Sequence, residues 1–493
     1  MLYQLSYITL SMGCKCKWIF RLSKHFYQND CKALFRIVLI IILLIIFSSN
    51  ILLSLLFNPE KFMAQLIFVL FLAAASWFFA RNAMKIRRNI LLGVPINRSD
   101  NGTERMLTML KVAFGQTKMV VRPVAGIMHF VIYAGFVIIN IEVLEIIIDG
   151  IFGTHRVFAP FLGGFYNFLI GSFEWLAFGV LAVCVVFLSR RNVLKLKRFS
   201  GTEMTTWPKS DANYILIIEI LLMSAFLTMN GADLKLQQAG AEHYITAGAF
   251  PISSIIAGWL PSNVDSLIFI ERFCWWFHII GILAFLNYLP YSKHFHILLA
   301  FPATYYSNLK PKGRFTNPES IQNEIKAMMD TSFVPPVSEN PIRFGAKDVH
   351  DLSWKSLMDA YSCTECGRCT SQCPANMTGK LLSPRKILMD TRDRLTEVGN
   401  NIEKHGKDFN DNKSLLYDYI STEELWACTT CNACTEACPI NLDPLAVIVD
   451  LRRYLVLEES KSPQSLNAMF NNVENNGAPW QFSPADRLNW ANS

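Results

Sequence analysis

The sequence predicts an all-α chain in two parts: a transmembrane bundle of five or six helices, then a small α-helical domain organised around cysteines. Three observations predict it. Hydrophobic residues make up 52% of the 493 and charged residues only 17%, with 13% aromatics, unlike a soluble average. Six apolar stretches are long enough to span a bilayer. Eight of the thirteen cysteines crowd between Cys363 and Cys438 in a repeated spacing.

Crossing about 30 Å of hydrocarbon at 1.5 Å per residue takes about 20 apolar residues. The stretches run over 37–57, 64–82, 124–148, 166–189, 213–231 and 266–290. The connections after the second and fourth are basic, with Arg87, Arg88 and Arg98 in one and Arg190, Arg191 and Arg198 in the other. The positive-inside rule puts both in the cytoplasm, so the loops 149–165 and 232–265 lie outside. The last span then returns to the cytoplasm near Lys293, and everything after about residue 297 follows it there. The stretch 37–57 has three readings: an extra span, an uncleaved signal anchor behind Lys15, Lys17 and Arg21, or a segment upstream of a start at Met63. Starting at Met63 gives five helices and an outside N-terminus.

Five segments follow: an N-terminal extension (1–62), a membrane domain (63–306), a linker with Pro311, Pro318, Pro335, Pro336 and Pro341 (307–350), a cysteine domain (351–460) and a polar tail (461–493). The net charge of +7 sits in short clusters beside apolar runs rather than on one basic face, so it reports topology, not nucleic-acid binding.

Cys363-Thr-Glu-Cys366-Gly-Arg-Cys369-Thr-Ser-Gln-Cys373-Pro374 is C-x2-C-x2-C-x3-C-P, and Cys428, Cys431, Cys434 and Cys438-Pro439 repeat it. Three closely spaced thiolates wrap one [4Fe-4S] cubane while the fourth reaches the other cluster. One cluster would use Cys363, Cys366, Cys369 and Cys438; the other Cys428, Cys431, Cys434 and Cys373. Zinc sites instead pair two short knuckles. Helical patterning between the runs, around Ile387 to Leu395 and from Leu415 to Trp426, predicts an α-helical dicluster ferredoxin. Arg368, Arg385, Arg452 and Arg453 are read either as neutralising cluster charge or meeting an acidic partner, or as solvated surface. Cys14, Cys16, Cys31, Cys184 and Cys274 show no spacing and read as buried or incidental thiols.

Histidines in a membrane are costly, and imidazole is a common haem ligand. His129 opens one span; His278 and His296 bracket the last. On one continuous helix the latter two would share a face about 27 Å apart. The expected cytoplasmic ends of both helices let His129 and His296 meet around a haem b. His278 lacks a partner, since Ile139 stands where a second His would be. His294 reads as interfacial.

At these residues two families meet. Residues 278–296 resemble the haem-b membrane subunit of respiratory nitrate reductase, its gamma subunit, with His278, Pro290, Ser292, Lys293 and His296 in register. Residues 352–455 are similar to the iron-sulfur subunit of heterodisulfide reductase, in the first cysteine run, Gly379-Lys-Leu-Leu-Ser-Pro-Arg385 and Trp426-Ala-Cys-Thr-Thr-Cys431. The resemblance implies a multi-pass cell-membrane subunit exchanging electrons between quinone and a cytoplasmic partner, either a cysteine-rich heterodisulfide-reductase-like subunit or an electron-transfer flavoprotein. The gamma subunits hold two haems, and Ile139 departs from that pattern. The alternative is a haem-free membrane-anchored ferredoxin acting as redox adaptor or sensor. No catalytic centre and no Gly-rich nucleotide loop is evident.

Overall fold

The computed structural model describes residues 59–199, 201–315, 317–336, 343–481 and 483–492, so the stretch 37–57 lies outside the described residues. Among the described residues the regular elements are helical, and β pairing is limited to two isolated bridges. In chain order the helices used below are α1 (Pro59–Ile90), α2 (Gly102–Met109), α3 (Pro123–Phe152), α4 (Gly164–Asn192), α5 (Trp207–Gln238), α6 (Val264–Tyr288), α7 (His296–Tyr305), α8 (Trp354–Ser362), α9 (Pro384–His405) and α10 (Pro444–Arg453). Five of them, α1, α3, α4, α5 and α6, are long and apolar enough to cross a membrane. Phe71, Phe130, Trp175 and Phe269 on these helices are at least half exposed, a surface that lipid covers in a membrane protein.

The last span departs from expectation. Helix α6 stops at Tyr288, two 3-10 turns follow over Leu289–Tyr291 and Lys293–Phe295, and α7 begins at His296. Pro290 has no N–H and disfavours α geometry in Leu289 before it. Asp211 fixes the turn, accepting from Ser292 Oγ at 2.6 Å and from the Lys293 N–H at 3.1 Å. His278 and His296 therefore do not lie on one continuous helix, and the even five-turn spacing between them does not hold.

Contacts divide the chain into two compact units. The first holds the described residues up to Met84, with Val131–Cys184 and Ile217–Tyr288. Its helices approach closely where side chains are absent: a Cβ on Gly135 would sit 2.6 Å from Val180, and one on Gly281 2.6 Å from Leu222. Ile170, Ala177, Cys184, Phe226 and Ile279 are sealed in its core.

The second unit holds Lys85–Phe130, Val185–Leu216 and the described residues from Leu289 onward. Local chemistry sets its helices. Ser353 Oγ caps α8 by accepting from the Ser356 N–H at 3.1 Å, and Asp443 caps α10 by accepting from Ala446 at 3.0 Å. Helix α9 starts with Ser383 and Pro384 and ends at Gly406, whose φ of 95° suits glycine. The Leu415–Trp426 segment is less helical than its pattern predicts, because Tyr417 takes a φ of 81° and only Thr422–Trp426 forms a regular helix.

Within this unit the ends of the long helices are stitched to the cysteine domain. Arg88 donates to the Gly399 carbonyl at 2.8 Å and Asn89 to Tyr361 Oη at 2.9 Å. Val94 exchanges backbone bonds with Leu352 and Trp354 at 2.8 and 3.1 Å. Arg105 of α2, buried, reaches the carbonyls of Tyr305, the last residue of α7, and of Ser307 just beyond it. The linker contains a helix, Glu319–Met329, that its prolines do not suggest, and the tail forms Gln464–Asn476 with no buried residue.

Candidate functional site

The two cysteine runs adopt the same backbone. Glu365 and Gly367 in the first have φ of 56° and 70°; Thr430 and Asn432, at the same positions in the second, have 55° and 62°. The closing cysteines match as well, Cys373 at φ −78°, ψ 118° and Cys438 at φ −71°, ψ 125°. Residues rarely enter the left-handed region without cause. Here it turns backbone N–H groups back towards sulfur: Thr430 donates to Cys428 Sγ at 3.4 Å and Leu442 to Cys438 Sγ at 3.3 Å. Such bonds stabilise the negative charge of metal-bound thiolates.

Cys363, Cys366, Cys369 and Cys438 line one cavity, with Cys434, Arg368 and Arg385 also on its wall. Burial raises the Cys428 and Cys434 thiols, and the sulfurs beside them add to it: Cys373 and Cys431 act on Cys428, and Cys428 and Cys373 on Cys434. Among the described residues no three His, Cys, Asp or Glu side chains converge on one metal ion. Burial pushes the Cys363 and Cys438 thiols up to about 12, so protons must leave when metal binds. Cys431 is the exposed member of the eight.

Buried charge surrounds these runs. Arg368, 5% exposed, donates to the carbonyls of Lys118 and Met119 at 3.0 and 3.2 Å, and Arg122 donates to Ser371 Oγ at 2.6 Å. Lys118 reaches Asn441 Oδ1 beside the second run at 2.9 Å. Glu365 is bonded by Lys293 and by Arg392, the latter at 2.7 Å. Burial raises the Glu365 carboxyl, but those two cations outweigh it and hold it below the usual range. Arg368 and Arg385 are thus not solvated surface. Lys118, Arg122, Glu203 and Glu365 are not legible in the sequence, because nothing local distinguishes them from ordinary loop charge.

His129 stands two turns into α3, and its Nδ1 is buried without a partner. His296 opens α7 with Nδ1 3.1 Å from the Lys293 carbonyl oxygen. The His294 ring lies 5.5 Å from the His296 ring at 77°, and His129, His294 and His296 all interact electrostatically. Burial drives His294 down to about 3, with the other two rings adding to the effect, so it stands beside the other two imidazoles. Arg368 acts electrostatically on His129 as well. His278, in the first unit, is 1% exposed with Nδ1 3.0 Å from the Leu222 carbonyl oxygen, and Ile139 is buried apolar core. The residues fit a haem in one respect above others: two imidazoles, His129 and His296, stand on different elements and are close enough to act on each other electrostatically.

Residues 362–442 match the 4Fe-4S dicluster domain. This part of the chain is a 4Fe-4S ferredoxin domain. The dicluster domain also carries the similarity to a subunit of the ferredoxin/F(420)H(2)-dependent CoB-CoM heterodisulfide reductase of Methanosarcina acetivorans, 34% identical over 108 residues, 22% of this chain and 53% of that one. Similarity extends into the helical part in two longer proteins. A probable iron-sulfur-binding oxidoreductase of Bacillus subtilis, FadF, is 28% identical over 456 residues, 86% of this chain and 60% of the relative. The EtfAB:quinone oxidoreductase of Syntrophomonas wolfei is 28% identical over 453 residues, 86% of this chain and 59% of the relative. The chain therefore spans about three fifths of these two relatives. No solved structure matches it. It is an electron-transfer iron-sulfur protein with membrane helices.

Proposed function

We propose that the chain is a multi-pass cell-membrane electron carrier linking the quinone pool, through one haem b and two [4Fe-4S] clusters, to a cytoplasmic redox partner. The observation that carries this reading is Arg368. It stands between Cys366 and Cys369, bonds the turn at Lys118 and Met119, and acts on His129 just beyond that turn. One residue thus joins the first cysteine group to the histidine cluster.

Cys363, Cys366, Cys369 and Cys438 would hold one cluster, Cys428, Cys431, Cys434 and Cys373 the other, and His129 with His296 the haem. When bound, these groups supply one-electron transfer. The chain's own residues hold them, exclude water and set the local charge: the left-handed positions aim N–H groups at sulfur, while Arg368 and Arg385 offset thiolate charge. The Lys293 carbonyl would accept from His296 Nδ1–H, which fixes the ring and leaves Nε2 for iron. No histidine answers His278, since Ile139 stands where a second one would be, so the reading includes no second haem. Exposed Cys431 makes the second cysteine group the one that meets the partner. The partner is a flavoprotein or a cysteine-rich heterodisulfide-reductase-like subunit, supported by the names of the Syntrophomonas and Methanosarcina relatives. Arg87, Arg88, Arg190 and Arg191 at the helix ends favour the cytoplasmic side for the dicluster domain. In this reading 63–306 is the membrane domain, 307–350 the linker and 351–460 the iron-sulfur domain.

The test is a dithionite-reduced minus oxidised spectrum of the purified protein, with iron and haem quantitation, for wild type and His296→Ala. A haem b band lost in the variant, with about eight non-haem irons kept, is the expected result. No haem in wild type with intact clusters overturns the haem and leaves a membrane-anchored ferredoxin adaptor.

A further inference from the structure

The first unit contains a cavity of about 330 Å³ that the electron-carrying residues do not use. It is lined by the end of α3, the 153–156 turn, the end of α5 and the start of α6. Ionisable groups surround it, and nearly all are satisfied. Arg156 donates to Asp233 at 2.8 Å, to Asn230 at 3.0 Å and to Tyr166 at 3.2 Å. Glu145 accepts from the Phe158 N–H and from Tyr166 Oη, both at 2.8 Å. Asp149 accepts from the N–H groups of Arg156 and Val157, at 2.7 and 3.2 Å. Glu271 is held by Arg272 and by Tyr244 Oη, the latter at 2.9 Å.

Two atoms break this pattern. Glu142 Oε2 and His155 Nδ1 are buried and unpartnered, although Glu142 lies 3.8 Å from Arg156 through its other oxygen and His155 Nε2 lies 3.3 Å from Asp233. Both residues are at least nine-tenths buried and both line the cavity. A buried polar atom without a partner is costly, and natural structures keep few of them, at strained or functional positions or where a water or ion completes them. The facing wall is apolar and aromatic: Phe68 lies 5.5 Å from Trp275 and 6.2 Å from Trp276, ring to ring. Ala64 lines the cavity and is itself exposed, and Met63 and Ile67 beside it are exposed apolar residues. The cavity therefore has a polar end, an aromatic wall and an apolar opening.

We propose that this cavity binds a quinone head group, with Glu142 Oε2 and His155 Nδ1 as hydrogen-bonding partners of its ring oxygens and Phe68, Trp275 and Trp276 as the stacking wall. The shape fits a planar ring with oxygen substituents and a lipid tail, since small-ligand sites of about 300–1,000 Å³ are mostly apolar with a few placed polar groups. A soluble polar substrate would leave the aromatic wall and the apolar opening without a purpose. The assignment rests on the quinone part of the function proposed above and gives it a location.

The test is fluorescence titration of the full chain in detergent with 2-heptyl-4-hydroxyquinoline N-oxide, a quinol analogue, for wild type, Glu142→Gln, His155→Gln and Ala64→Phe. Ala64→Phe blocks the opening without disturbing the ionic network, so it stands even if a polar variant fails to fold. Retained cluster absorption reports folding. Each variant is expected to bind at least about tenfold more weakly, the loss of one buried hydrogen bond or of access. Wild-type binding with undiminished affinity in Ala64→Phe and Glu142→Gln overturns the location and leaves the quinone reading intact. No binding by wild type, with its clusters present, overturns both.

Discussion

Arg385 Nη2 and Nε both donate to Glu203 Oε1, at 2.7 and 3.1 Å, and Nη1 donates to the Arg198 carbonyl at 2.7 Å. The pair ties the start of α9 to the connection between α4 and α5, inside the second unit, with Arg385 1% exposed.

Removing one partner of a buried ion pair costs about 3–5 kcal/mol, because the other charge is left unpaired. Arg385→Ala is expected to lower the midpoint at which cluster absorption is lost on heating, and Arg385→Lys should not restore it, since a single ammonium cannot span both acceptors. Burial raises the Glu203 carboxyl, but the Ser383 bond and the Arg385 charge bring it below the usual range. A lowered folded-state pKa stabilises fully above the unfolded value of about 4.3 and is lost as pH falls through the folded one. The difference between wild type and Glu203→Gln should therefore be equal at pH 8 and pH 6; a difference that changed between them would contradict the pairing.

Gly367 is constrained twice. Its φ is 70°, and a Cβ there would lie 2.7 Å from Arg385 Nη1. Gly379 has φ of 84° with nothing within 4 Å. Alanine at Gly379 should cost about 1–2 kcal/mol from the backbone alone, whereas Gly367→Ala should also displace Arg385 and reduce iron content. Equal iron in both variants would show that the close approach does not matter.

Crossed ligation makes a specific prediction about Cys438 and Cys373. Cys438→Ser should abolish the same electron paramagnetic resonance signal as Cys363→Ser, and Cys373→Ser the same one as Cys428→Ser, each taking iron from about eight to about four. If Cys438→Ser instead pairs with Cys428→Ser, each run holds its own cluster.

The histidine cluster separates ligand from neighbour. In the proposed reading His129→Ala and His296→Ala should each lose the haem b band, while His294→Ala should keep it with a shifted peak, because its ring lies against His296 and would not ligate the iron. Loss of haem in His294→Ala alone would move the ligand role to His294.

Much of this was legible in the chain itself. Apolar length alone determined the five described spans, because a helix in lipid must satisfy its own backbone and needs about 20 apolar residues to do it. The spacing of the eight cysteines determined the dicluster domain, because cubane chemistry requires closely spaced thiolates and that requirement is local. Caps such as Ser383-Pro384 and Asp443-Pro444 determined where α9 and α10 begin.

What joins distant segments was not legible. The break after Tyr288 follows from Pro290 only once Asp211, about eighty residues earlier, is seen to bond the turn at Ser292. Arg368 could not be told from surface charge until the Lys118 and Met119 carbonyls were brought to it, nor Glu142 from an ordinary helix carboxylate until its neighbours proved paired and it did not. Periodicity and spacing encode what one segment does with its own backbone and ligands. Whether a polar group is buried and which group answers it depends on residues far away in sequence, and only the tertiary structure decides that.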